Sequence, residues 1–422
     1  MSINSFKNWI GKMGDYKFAF AIKALMFLMT LLNTIIINRY LGPVLKGEYA
    51  YYLNVINIAV IILNLGVYQA YPNFKKNKIE NVKNAFLNLT IVLFIINIFL
   101  VSLFSLLTKS QNVLIIYLLI PIMVFSRQVS FISLVENLKI KNILTITTLF
   151  LYSAGLLIVY SIFKPSVYIT FALLYLQEII FAILAIKTLD YKFSVKNFSF
   201  PFMLKVVRFG ILPMFTVLLS TLNYKVDIFI IKDLLDYRNI GIYTVGVNFA
   251  DIIGIIPNVI QEVLFSRSTK ENLMNETIKA LRITLYINII TLLSFIIFGN
   301  SIITLLYGND FSYSAIIAIV AIAGMIPMTF FKLISSILII DGKKIFTFTI
   351  LFISVVLNII LNYFLIPQIG IIGAAITSVI SYAFSGISIL IYFCKENSVP
   401  ISKIVLITKN DFTNLKMILK RK

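Results

Sequence analysis

The sequence predicts an all-α integral membrane protein of about twelve transmembrane helices arranged as two six-helix lobes. Three observations carry this expectation. The 422 residues are 60% hydrophobic and only 13% charged, against about 25% charged in an ordinary soluble domain. Twelve apolar runs follow one another, each near the roughly 20 residues that cross about 30 Å of hydrocarbon. Basic residues gather in alternate connections between those runs. The runs fall at approximately 18–38, 49–70, 85–107, 113–134, 143–163, 167–186, 209–231, 242–264, 283–306, 314–339, 346–366 and 371–394. No extended polar region separates them, so no soluble domain of ordinary size fits within the chain.

The net charge of +20 would point to nucleic acid in a soluble protein, but here topology accounts for most of it. With both termini cytoplasmic, the inner segments hold 27 of the 37 Lys and Arg residues and the outer loops hold six. That asymmetry is the positive-inside pattern. The remaining four, Lys23, Arg127, Lys225 and Lys332, lie inside apolar runs. Histidine is absent and Cys394 is the single cysteine, which excludes Cys/His zinc sites, His-based triads and an intrachain disulfide.

In chain order, residues 1–16 interleave Phe6, Trp9, Ile10 and Met13 with Lys7 and Lys12. This spacing suits an amphipathic helix on the inner membrane surface, although a disordered leader fits as well. No signal-peptide cleavage pattern follows, so the first span is expected to be retained. Residues 17–190 form the first lobe, 191–208 a basic cytoplasmic linker, 209–394 the second lobe and 395–422 a basic cytoplasmic tail. Six spans per half make the lobes parallel repeats. The triplets Gly47-Glu48-Tyr49 and Gly241-Ile242-Tyr243, which open the second and eighth spans, are a faint echo of such a repeat.

The hairpin from Arg208 to Arg267 carries the most buried polarity. Lys225, Asp227, Asp251 and Glu262 lie inside its two runs, and an ionisable group at bilayer depth marks a candidate site. Thr244, Asp251, Asn258 and Glu262 share one helix face, as do Pro213, Thr216, Ser220, Tyr224 and Asp227. Lys225 points roughly 200° away from Asp227, which disfavours an ion pair within that helix. The competing reading is that such polar atoms only fasten helix to helix.

Elsewhere, Lys23, Thr30 and Thr34 form one stripe, Asn57, Asn64 and Tyr68 a second, and Thr347, Ser354 and Asn358 a third. Amides and hydroxyls of this kind either pack helices or contact a polar ligand. Gly370, Ala374, Thr377, Ser381 and Ser385 make a small-residue seam, which reads as close helix packing. Among the cations, Lys23, Arg127 and Lys332 lie in the inner half or near the middle of their spans, with Lys225 toward the outer part. A cavity so lined would suit a phosphate or pyrophosphate arriving from the inner leaflet. Alternatively Lys23 snorkels to the interface, and Arg127 and Lys332 pair with Glu178 or Glu262. No loop is long enough to carry an extramembrane active site, so the chain does not read as an enzyme.

The segments NRYLGPVLKGEY (38–49) and LGVYQA (65–70) resemble the opening hairpin of the polysaccharide biosynthesis proteins, the Wzx-type oligosaccharide flippases. The resemblance continues through VDIFII (226–231), Gly241-Ile242-Tyr243, LNIILN (357–362), Ile366-Pro367 and GIIGAA (370–375), and so covers nearly the whole chain. It implies the superfamily shared with MATE multidrug exporters and lipid II flippases. That superfamily has two six-helix lobes around a central cavity and works by alternating access. Lipid II flippases typically add two helices, so twelve spans favour the Wzx-like branch.

By that likeness the substrate would be an undecaprenyl-pyrophosphate-linked oligosaccharide. It would be moved across a bacterial cytoplasmic (inner) membrane for O-antigen, capsule or exopolysaccharide assembly. Partners would be that lipid-linked oligosaccharide, membrane lipid and the glycan polymerase and assembly machinery, with no nucleic acid. The residues read for pyrophosphate or sugar are Lys23, Arg127, Lys225, Lys332, Asn57, Asn64 and Asn358. Asp227, Asp251, Glu262 and Glu178 are candidates for coupling to H+ or Na+, with no cofactor or metal expected. A cation-coupled exporter of small cationic compounds is the alternative, because four acidic groups balance the four basic ones within the spans. A noncatalytic scaffold in a glycan assembly complex is the third reading.

Overall fold

A computed structural model describes residues 15–77, 81–108, 114, 116–190, 199–253 and 274–406. The predicted interfacial helix at 1–14, linker residues 191–198, Asn258, Glu262 and the tail beyond residue 406 lie outside the described residues.

The described residues contain helices and turns throughout. The first half holds α1 (Asp15–Leu63), α2 (Val67–Lys76), α3 (Val82–Thr108), α4 (Leu119–Glu136), α5 (Leu138–Ile162) and α6 (Val167–Thr188). The second holds α7 (Phe200–Leu234), α8 (Tyr237–Ile253), α9 (Met274–Tyr307), α10 (Ser314–Ile340), α11 (Lys344–Ile369), α12 (Ile371–Glu396) and the short α13 (Ile401–Val405). Ten of these are long and apolar enough to cross a membrane. Among the described residues each of the twelve apolar runs has at least part of its length on a helix: α1 contains the first run and most of the second, and α8 begins the eighth.

Two local expectations are corrected. The loop expected near residues 39–48 is reduced to a sharp break between two helical segments of α1 at Gly42, whose φ of 66° and ψ of 176° are non-helical, with Pro43 following. Proline lacks the amide hydrogen and its ring crowds the preceding turn, so the helix bends there. The second run does not continue unbroken to residue 70. Leu65 and Gly66 have φ of 52° and 70°, and the chain turns before α2 restarts the helix. Gly66 also meets Gly210 of α7 backbone to backbone, so a Cβ on either glycine would strike the other's carbonyl.

The chain divides into two compact units, one ending at Leu218 and the other beginning at Leu219, a boundary inside α7. Unit 1 packs around two clusters. One joins Tyr71, Phe74, Phe86 and Val206, and the other joins Ile56, Leu119, Val124, Leu156 and Phe171. Tyrosines surround the second: Tyr40 stacks on Tyr160 at 3.4 Å between ring centroids, and Tyr49 tilts against Phe171 at 4.9 Å. Unit 2 packs α10 against α12 so closely that a Cβ on Gly386 would overlap the Pro327 carbonyl. Small residues permit such approach where lipid gives no hydrophobic drive to bring helices together.

Outward faces are apolar. Phe99, Leu106 and Leu107 on α3 and Ile297 and Leu305 on α9 are each more than 65% exposed. Water would penalise that surface, whereas hydrocarbon accepts it. The end of unit 2 is fastened by α13, where Ile404 is fully buried and Tyr286 donates to the Val405 carbonyl at 2.7 Å. The buried Arg282 guanidinium also donates to the Lys403 carbonyl.

Candidate functional site

Each unit contains its own buried polar cluster. In unit 1 three consecutive residues of α4 build it. Ser126 donates to Glu178 on α6, Arg127 donates to the Asn57 side-chain oxygen on α1, and Gln128 donates to Asn64, just past the end of α1, at 3.2 Å. Asn57 and Asn64 stand two helical turns apart, which explains why one segment of α4 meets both. Arg127 is half-buried and its hydrogen-bonded partner is a neutral amide. A guanidinium offers five donors in a planar fork, so this contact leaves most of them for a further acceptor.

Of the other unit 1 residues singled out by sequence, Asn64 and Glu178 belong to this cluster and Lys23 stands apart. Lys23 is exposed on α1, close enough to Lys141 for their charges to interact. Asn64 is fully buried, and its amide nitrogen has no partner. Glu178 is half-buried and accepts from Ser126, with the Arg127 charge nearby. Sequence reasoning did not find Ser126 or Gln128, because neither is ionisable. Their adjacency to Arg127 was the available signal.

In unit 2 three helices meet at Asp227 of α7, which is 1% exposed. One carboxylate oxygen accepts from the Tyr243 hydroxyl of α8 and from Ser378 of α12 at 3.1 Å. The other oxygen has no partner. Lys225, two residues earlier, turns away from Asp227 and reaches Asp251 of α8 at 2.9 Å. Lys332 of α10 stands 5.3 Å over the Tyr224 ring, a cation–π distance, and Tyr224 tilts against Tyr382 at 5.4 Å. A small cavity lies between Asp251, Tyr243, Ser378, Tyr382 and Met325, with room for about one water-sized occupant.

Asn358 lies elsewhere in unit 2 and is fully buried. It donates to Ser381 at 3.0 Å and accepts from Asn362 at 2.7 Å, an arrangement that joins α11 to α12. Tyr243 and Ser378 are the unit 2 residues that sequence reasoning missed as site residues. Tyr243 stood in a quoted triplet and Ser378 beside the small-residue seam, so both were visible without a role. The α7–α8 turn supplies the missing link: Asp227 and Tyr243 are at nearly equal distances from it, and antiparallel helices bring such residues face to face. Among the described residues no three His, Cys, Asp or Glu side chains gather as a metal would require.

The fold is shared with solved membrane transporters. The lipid II flippase MurJ in an inward closed conformation aligns with a TM-score of 0.71 at 17% identity, over 94% of this chain and 91% of that one. A multidrug resistance MATE family transporter of the MOP superfamily, inward-facing, aligns with a TM-score of 0.68 at 16% identity, over 88% and 94%. A MOP superfamily transporter from Pyrococcus furiosus gives 0.60 at 14% identity, over 89% and 94%. A search of curated proteins by sequence finds no match. The family description for polysaccharide biosynthesis proteins matches residues 18–272, more than half of the chain. The chain therefore belongs to the polysaccharide biosynthesis protein family, a multi-pass membrane protein with the MOP-superfamily fold of transporters and flippases rather than of an enzyme.

Proposed function

We propose that this protein is a flippase for an undecaprenyl-pyrophosphate-linked oligosaccharide, moving it from the inner to the outer leaflet of a bacterial cytoplasmic membrane. The product would feed O-antigen, capsule or exopolysaccharide assembly. Membership of the polysaccharide biosynthesis family carries the reading. The buried cations supply its chemistry. Arg127, bonded to a neutral amide, and Lys332, held over a tyrosine ring, can each grip a phosphate without first breaking an ion pair. Lys23 and Asn57 would add contacts to pyrophosphate and sugar while the lipid tail stays in the bilayer.

Alternating access exposes the headgroup first inside and then outside. Asp227, with one oxygen unpartnered, is the candidate for coupling that cycle to H+ or Na+. The basic segments set both termini in the cytoplasm. The glycan polymerase and assembly machinery would take up the flipped product.

Deleting the gene in its host and measuring surface polysaccharide together with lipid-linked oligosaccharide tests this reading. Loss of glycan with the intermediate trapped in the inner leaflet supports flipping. Intact glycan with new sensitivity to cationic dyes would replace it with cation export.

A further inference from the structure

The unit 2 cavity has a charge arrangement that its acidic residues alone would not produce. The side of Asp251 that faces α7 is taken by the Lys225 ammonium at 2.9 Å, and these side chains are 39% and 24% exposed. Asp227, on the same helix as Lys225, keeps one oxygen unpartnered and is almost wholly enclosed. Among the described residues, Asp251 is the charged group that lines the cavity, while Lys225 pairs with it and the charges of Asp227 and Lys332 lie near this pair. Ser378 and Tyr382 from α12 are neutral. Lys332 stands over the Tyr224 ring, so the cation in contact with Asp251 is Lys225.

We propose that Lys225 is a tethered counter-ion that occupies the place beside Asp251 which a dissolved monovalent cation would otherwise take. It thereby acts as a specificity-determining residue that closes the position beside Asp251 to small cations and leaves ion coupling to Asp227. A carboxylate at bilayer depth needs an opposite charge or a proton. A cavity with room for about one water-sized occupant fits a bare monovalent ion. A lysine supplied by the chain meets that need permanently and at no cost in bound solute. The inference deepens the flippase reading, because a carrier for an anionic headgroup gains selectivity by refusing cations.

The test titrates Na+ into the purified full-length protein by calorimetry, at constant ionic strength held with a bulky organic cation. Lys225→Gln is expected to bind Na+ at least about tenfold tighter than the unsubstituted protein. Lys225→Arg should show no gain, because it keeps the tethered charge, and Lys225→Gln/Asp251→Asn should lose the gain. Identical isotherms for the unsubstituted protein and Lys225→Gln would overturn the proposal, as would a gain that persists without Asp251.

Should Lys225→Gln fail to fold, thermal unfolding of Asp251→Asn and the double variant decides instead. Asp251→Asn strands the lysine, so the double variant should melt higher than this single one, and no rescue would overturn the proposal. Neither readout uses a lipid-linked glycan. Failure of the flippase reading in cells therefore leaves this result standing, and the reverse also holds.

Discussion

The two units treat buried charge differently. In unit 1 the central cation, Arg127, is bonded to an amide with the Glu178 charge nearby, and it is flanked on the same helix by Ser126 and Gln128. In unit 2 the polar groups are drawn from four helices, and Lys225 is already in an ion pair. A charge balanced by dipoles can change partner readily, whereas one held in an ion pair must first lose its counter-ion. Under the proposed function, ligand contact falls chiefly to unit 1, and fixed electrostatics and ion coupling chiefly to unit 2.

Packing does not follow this division, because unit 1 also brings Gly66 against Gly210 backbone to backbone. Unit 2 sets α10 on α12 through Gly386, with backbone nearly touching backbone. Unit 1 fills its second cluster with bulky rings such as Tyr49, Tyr152 and Phe171.

The comparison can be broken at several points, and the largest effect is expected at Gly386. Gly386→Val should abolish folded protein or lower its melting temperature sharply, since overpacking a tight contact costs about 1–3 kcal/mol or more. Gly155→Ala in unit 1 meets only the flexible end of Leu173 at 3.3 Å, so it should melt nearly as the unsubstituted protein does. Equal losses in the two variants would show that the Gly386 contact is no tighter than the one at Gly155.

Next in size is Arg127→Ala, which should lose most glycan export at normal protein level, with Arg127→Lys intermediate because lysine lacks the planar fork. Quantified surface polysaccharide with an immunoblot checks both. Full export by Arg127→Ala would remove the ligand role assigned to unit 1. Asp227→Asn should impair export while leaving much of the folded population, because asparagine keeps one acceptor for Tyr243 and Ser378. The smallest change is Ser378→Ala, which removes one hydrogen bond and should cost about 1 kcal/mol in unfolding experiments.

Helix existence was legible in the sequence because hydrocarbon imposes length and apolarity on every span. The kink at Gly42-Pro43 was spelled in residues but read as a loop, since proline is common in both. Charges at depth were equally visible: Asp227 is buried, and Arg127, Lys225, Asp251 and Lys332 are half-buried. Their partners were not. Periodicity within α7 separates Lys225 from Asp227, but it carries no information about the rotation of α8 that brings Asp251 within reach. Neutral groups such as Ser126, Tyr243 and Ser378 gave no signal because hydroxyls are common in membrane helices and most of them only pack. Asn358 shows the opposite side of that ambiguity, bonded within the α11–α12 contact.

The most direct measurement is the leaflet distribution of lipid-linked oligosaccharide in cells lacking the gene, complemented with either the unsubstituted protein or Arg127→Ala. The account predicts that the intermediate accumulates in the inner leaflet of the deletion strain. The unsubstituted protein should relieve that accumulation, and Arg127→Ala should not, despite reaching the membrane in equal amount. A deletion strain with the intermediate already distributed to the outer leaflet, and with normal surface glycan, would contradict the account.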